Sequence, residues 1–138
     1  MIRRHAFARI GAAIVFAGLD AVWLCATNAR LYRPVLHAIL SDGARPIPAA
    51  LFYLLYVTGL TVFAVAPALR VGRWTTAART GALFGLFAYA TYDLTNQATL
   101  TVWATRITVL DLCWGCVVSA AGATAGYFAG RWADRHGA

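Results

Sequence analysis

The sequence predicts an all-α, polytopic membrane protein: a bundle of four transmembrane helices with a short interfacial helix in the first external loop. Three observations carry this. Of 138 residues, 61% are hydrophobic and 12% charged. A soluble domain of this size carries about 25% charged residues and lacks the interior to hide so much apolar surface. Four apolar runs come close to the roughly 20 residues that cross about 30 Å of hydrocarbon as a helix. The charges, 12 arginines and five aspartates without lysine or glutamate, lie mostly between those runs.

The runs form one domain over 1–138. Backbone groups in lipid must be satisfied internally, so each run reads as a helix. The first covers about 7–27. Arg3, Arg4 and Arg9 stand ahead of its apolar stretch as in a secretion signal, but Asp20 and Trp23 interrupt that stretch and no small-x-small cleavage site follows. It is expected to stay in the mature chain. The second covers about 47–69, with Pro48 in its first turn and Pro67 near its end, both places where helices tolerate or stop at proline. The third and fourth cover about 80–100 and 107–128. The link between them is very short, which makes them antiparallel neighbours. The only long connection, 28–45, contains "VLHAIL", the expected interfacial helix, stopped by Ser41-Asp42-Gly43.

The arginines set the orientation. Arg3, Arg4, Arg9, Arg70, Arg73, Arg79, Arg131 and Arg135 fall on one side. Arg30, Arg33, Arg45 and Arg106 fall on the other. The positive-inside rule places both termini in the cytoplasm. Trp74 and Trp132 then sit at the cytoplasmic boundary and Trp103 at the outer one, as interfacial aromatics do. Basic residues spread this way form no single patch, so nucleic-acid binding is not expected.

Small residues recur at helical spacing: Gly81 and Gly85 in the third run, and Gly122, Gly126 and Gly130 in the fourth. Such faces let helix backbones approach closely in lipid. Packing within the chain is the plainer expectation, and a homodimer through these small-residue faces is the alternative.

The polar residues inside the runs are the candidate site. Each of Asp20, Asp93 and Asp111 would cost about 2.5–3.5 kcal/mol facing lipid at the bilayer centre. Asp20 and Asp93 each lie about 13 residues, roughly 20 Å, along a helix from the cytoplasmic side, and Asp111 lies about one turn from the outer surface. All three thus reach a similar depth in the outer half. "LDAVW" and "LDLCW" repeat a pattern in which tryptophan, Trp23 or Trp114, follows aspartate by three residues on one helix face. Tyr89, Asp93, Asn96 and Gln97 share a face of the third helix. One acidic-aromatic pocket between the first, third and fourth helices is the economical reading. Carboxylates crowded there would hold at least one proton at neutral pH, and Arg106 or Arg30 near the outer mouth is placed to keep another ionised. Interhelical hydrogen bonds alone also explain polar residues in helices. Three aspartates favour a site, because asparagine or serine makes less costly glue.

Other chemistries are weaker. No histidine lies within a run, so no metal and no cofactor is expected. Cys113 and Cys116 form a C-x-x-C, but no second cysteine pair accompanies them, since only Cys25 remains. They read as apolar filler, with a thiol-redox role left open. There is no phosphate-binding glycine loop, nucleophile elbow or H-E-x-x-H.

"LDAVWL" at 19–24, "FYLLYVTG" at 52–59, "GALFGLFAYATYDLTNQATL" at 81–100 and "VLDLCWG" at 109–115 resemble the DUF2177 family of small bacterial membrane proteins. The resemblance runs from about Phe7 to Phe128. It implies a four-helix integral protein of the bacterial cytoplasmic membrane and brings no activity with it. Its matching positions include Asp20, Trp23, Asp93, Asn96, Asp111 and Trp114, together with Tyr92, Leu94, Thr95, Thr99, Trp103 and Gly115. Cys113 and Cys116 fall outside that pattern. The expected function is an outward-facing pocket that binds or modifies a lipid or small amphiphile. Asp93 would be its central acid or base, with Asp20 and Asp111 tuning it. Asn96, Gln97, Tyr89, Tyr92, Thr95, Thr99, Trp23, Trp103 and Trp114 would contact the ligand. A dimeric proton-coupled transporter and an accessory subunit of a membrane complex are the alternatives.

Overall fold

A computed structural model describes residues 2–41 and 43–136. Four helices make up the bundle: α1 (Ile2–Leu36), α2 (Pro46–Val71), α3 (Trp74–Thr99) and α4 (Thr105–Arg135). No strand occurs among the described residues. α1, α2 and α4 are long and apolar enough to cross a membrane. α3 has 26 residues, but Asp93, Asn96, Gln97 and its threonines lower its apolar content. It nevertheless lies antiparallel along α4, from Gly81 beside Ser119 and Ala123 to Gln97 beside Thr108. Its depth is therefore that of α4.

The helices outrun the expected boundaries, most of all α1. It continues past 27 to Leu36 through a wider turn at Asn28–Tyr32, where the Arg33 amide donates to the Asn28 carbonyl, five residues back. Pro34 explains this turn, since proline lacks an N–H and its ring crowds the carbonyl four residues earlier. The same arrangement precedes Pro67, where the Ala66 amide donates to the Thr61 carbonyl. The expected separate helix at 35–40 is thus not a separate element. Val35 and Leu36 end α1 and residues 37–39 form a turn. Asp42, part of the expected helix stop, lies outside the described residues.

α4 occupies the middle of the bundle, and its glycines show why. A Cβ on Gly126 would meet the Ala8 carbonyl of α1 at 2.8 Å and Val65 of α2 at 3.1 Å. A Cβ on Gly85 of α3 would run into the Gly115 carbonyl of α4. The small-residue faces therefore pack against helices of the same chain. Phe16, Leu60, Val65 and Val118 fill the remaining interior. Ile14 and Val22 of α1, Leu55 and Phe63 of α2, Leu83 and Phe87 of α3, and Val117 and Phe128 of α4 point outward. Every helix thus presents apolar side chains on its outer face, as lipid requires.

Gly72, with φ of 75°, ends α2 in the left-handed conformation and turns the chain into α3. The two ends of the chain meet on one side of the bundle. Arg3 donates to the Ala133 carbonyl at 2.7 Å, and Arg4 pairs with Asp134 at 3.3 Å. Trp132 lies near this end, half-exposed and packed on Phe7.

Candidate functional site

Away from that end, α1 buries Asp20, and all three other helices reach for it. Tyr53 of α2 donates to its carboxylate at 2.7 Å, Trp114 of α4 at 3.3 Å and Tyr89 of α3 at 3.4 Å. Asp20 meets donors only, and a carboxylate has lone pairs for all of them. One side chain thus ties four helices together at a single level.

The two D-x-x-W motifs interlock here. The Trp23 and Trp114 rings stack with centroids 4.6 Å apart. Trp114, from the α4 motif, donates to Asp20 of the α1 motif. In return Trp23, from the α1 motif, donates to the Tyr32 hydroxyl at 3.0 Å, and Tyr32 donates to Asp111 of the α4 motif. Each indole serves the other helix's carboxyl.

Asp93 is fully buried, and neither of its oxygens meets a hydrogen-bond donor. It faces the carboxyl of Asp111. Two ionised carboxylates offer only acceptors, so neither satisfies the other without a proton.

In front of these groups lies a cavity of about 610 Å³, within the range of small-molecule sites. Asp20 and Asp111 sit in its wall with Trp23, Tyr32, Tyr89 and Trp114. Tyr56 adds a buried ring, its hydroxyl bonded to Ser119 at 2.7 Å. Leu24, Leu40, Phe52 and Tyr92 also line it and are themselves exposed. The cavity therefore opens beside them to the outside of the bundle.

Most of the remaining candidate residues stand elsewhere. Asp93 is behind Asp111 and does not line the cavity. Trp103 does line it, and its indole donates to Thr108 at 3.0 Å. Gln97 accepts from Thr108 and donates to Thr105, so it clasps the α3–α4 turn. Asn96 is half-buried beside Tyr92. Thr95 and Thr99 are exposed and return their hydroxyls to their own helix, at the Thr91 and Thr95 carbonyls. Three further tyrosines, Tyr32, Tyr53 and Tyr56, belong to the site. Tyr32 lies beyond the apolar run at 7–27 and joins the site only because α1 continues to Leu36. Tyr53 and Tyr56, spaced i, i+3 in "FYLLYVTG", carried a signal in their hydroxyls within an apolar run.

Cys25, Cys113 and Cys116 are free thiols. Among the described residues no group of three or more histidine, cysteine or acidic side chains could hold a metal ion.

The chain matches no curated protein and no solved structure. One family, described as "Predicted membrane protein (DUF2177)", matches residues 6–128, a stretch that contains α2, α3, the carboxyl groups and all the cavity aromatics. A helical bundle with an apolar exterior and a match over most of its length make this chain a member of the DUF2177 family of membrane proteins.

Proposed function

We propose that the protein binds a membrane lipid or small amphiphile in the cavity beside Asp20 and Asp111. The observation that carries this reading is the make-up of the cavity. Its walls are aromatic and aliphatic, its polar groups are few and convergent, and its rim residues are exposed where lipid tails would lie. An apolar tail leaving the bilayer would lose little by moving in, and its polar end would meet the carboxyls. The arginine distribution supports a setting in the bacterial cytoplasmic membrane with both termini inside and the cavity in the outer half. Ala88 lines the cavity, so Ala88→Phe adds bulk to its wall while keeping every carboxyl of the chain. Mass spectrometry of lipid extracted from purified protein tests the reading. An amphiphile retained by the wild type and lost from Ala88→Phe is expected. Identical contents in the two would count against it.

A second reading, a proton-coupled transporter, is favoured by the placement of Asp93 beside Asp111, two facing carboxyls in and just behind the cavity wall, as in intramembrane proton relays. It requires that Asp93→Asn abolish pH-dependent flux in vesicles while the protein still folds.

A further inference from the structure

We infer that the amphiphile taken by this cavity carries a cationic head: an amine or quaternary ammonium group on an apolar chain. The inference rests on the proposed binding function and narrows its ligand.

Acidic groups within a membrane ordinarily pair with a basic partner. The chain has 12 arginines, yet the only salt bridge among the described residues is Arg4–Asp134, near the two ends of the chain. Asp20, Asp93 and Asp111 have no such partner. No arginine or histidine lines the cavity either. Asp20 is met only by neutral tyrosine and indole donors, with no basic group among the described residues against it. Asp111 accepts from Tyr32 alone, which leaves a carboxyl oxygen free for a ligand.

The walls suit the same head group. Trp23, Tyr32, Tyr56, Tyr89 and Trp114 surround the carboxyls. Aromatic faces attract cations, most of all where water is excluded. An anionic head would face two carboxyls and the negative faces of these rings with no basic residue to receive it. The overall charge of +7 makes this preference diagnostic, since the rest of the protein repels cations.

The test uses purified wild-type protein in a neutral maltoside detergent, with native mass spectrometry as readout. Dodecyltrimethylammonium, dodecanol and dodecanoate are offered at equal concentration. Retention of the ammonium probe over dodecanoate by roughly tenfold or more is expected, with a similar loss in Asp20→Asn and Asp111→Asn. Equal retention of ammonium and carboxylate probes would overturn this inference and leave the amphiphile reading standing. Retention of none of the three would overturn both. The comparison of head groups is made on the wild-type chain, so it holds whether or not the variants fold.

Discussion

The indole rings of Trp23 and Trp114 stack with centroids 4.6 Å apart and planes 7° from parallel. They come from equivalent places in two D-x-x-W motifs on antiparallel helices, and each reaches toward the carboxyl of the other motif. The stack is thus both a packing contact between α1 and α4 and the back wall of the cavity.

Trp114→Phe keeps a ring in the stack and removes the donor to Asp20. It should cost about 0.6–2 kcal/mol, the range of a hydrogen bond between membrane helices. Trp114→Ala opens a void and should cost about 3–5 kcal/mol. Combining Trp23→Ala with Trp114→Ala should cost less than the two losses added, by about 0.5–1.5 kcal/mol of stacking. Unfolding of the purified protein in mixed micelles measures all three, and strict additivity would place the rings out of contact.

The aspartates should differ in what they hold. Asp20→Ala strands donors on Tyr53, Tyr89 and Trp114, each worth about 1–3 kcal/mol when left unpaired in a buried place. Asp93→Asn instead puts an amide donor against Asp111, so stability should stay within about 1 kcal/mol of wild type. Thermal unfolding ranks the two. If Asp93→Asn proved the worse, the Asp20 hub would not be the main polar tie of the bundle.

Two glycines offer a matched pair. Gly85 lies against the Gly115 backbone, and Gly18 has nothing within 4 Å of where a Cβ would stand. Gly85→Ala should destabilise by about 1–3 kcal/mol through overpacking between α3 and α4. Gly18→Ala should be neutral or stabilising by up to about 1 kcal/mol. The thermal midpoints of the two variants report the difference.

Topology is open to direct measurement. Ser41 is exposed in the α1–α2 connection. In intact bacteria, Ser41→Cys on a cysteine-free background should react with a membrane-impermeant maleimide. Green fluorescent protein fused to the C-terminus should fluoresce. The opposite pattern would invert the orientation and place the cavity in the cytoplasmic half.

Much of the bundle was legible because its signals are local. Apolar runs mark helices in lipid, and glycines every four residues mark where backbones touch. Counting residues from the membrane surface put Asp20, Asp93 and Asp111 at one level, and the structure places them within reach of one another's neighbours. What counting could not supply was rotation about each helix axis. Asp93 looked central because the polar stretch around it is the densest, yet it faces Asp111 and stands behind the cavity. Thr95 and Thr99 belong to that same stretch and point out of the bundle. The i, i+3 rule correctly put each Asp and Trp on one face, but it could not say that each tryptophan would serve the other helix. Tyr32 depended on a helix that continues through Pro34, which a wider turn makes tolerable and which residue preference alone would stop.

The central claim is that an amphiphile occupies the cavity beside Asp20 and Asp111. Photocrosslinking in proteoliposomes tests it most directly, using an amphiphile with a diazirine in its apolar chain and mapping adducts by peptide mass spectrometry. Adducts should concentrate on Leu24, Leu36 and Phe52, which line the cavity, and be lost in Ala88→Phe. Adducts confined to Leu55, Phe63 and Val117 on the outer faces, unchanged in Ala88→Phe, would contradict it.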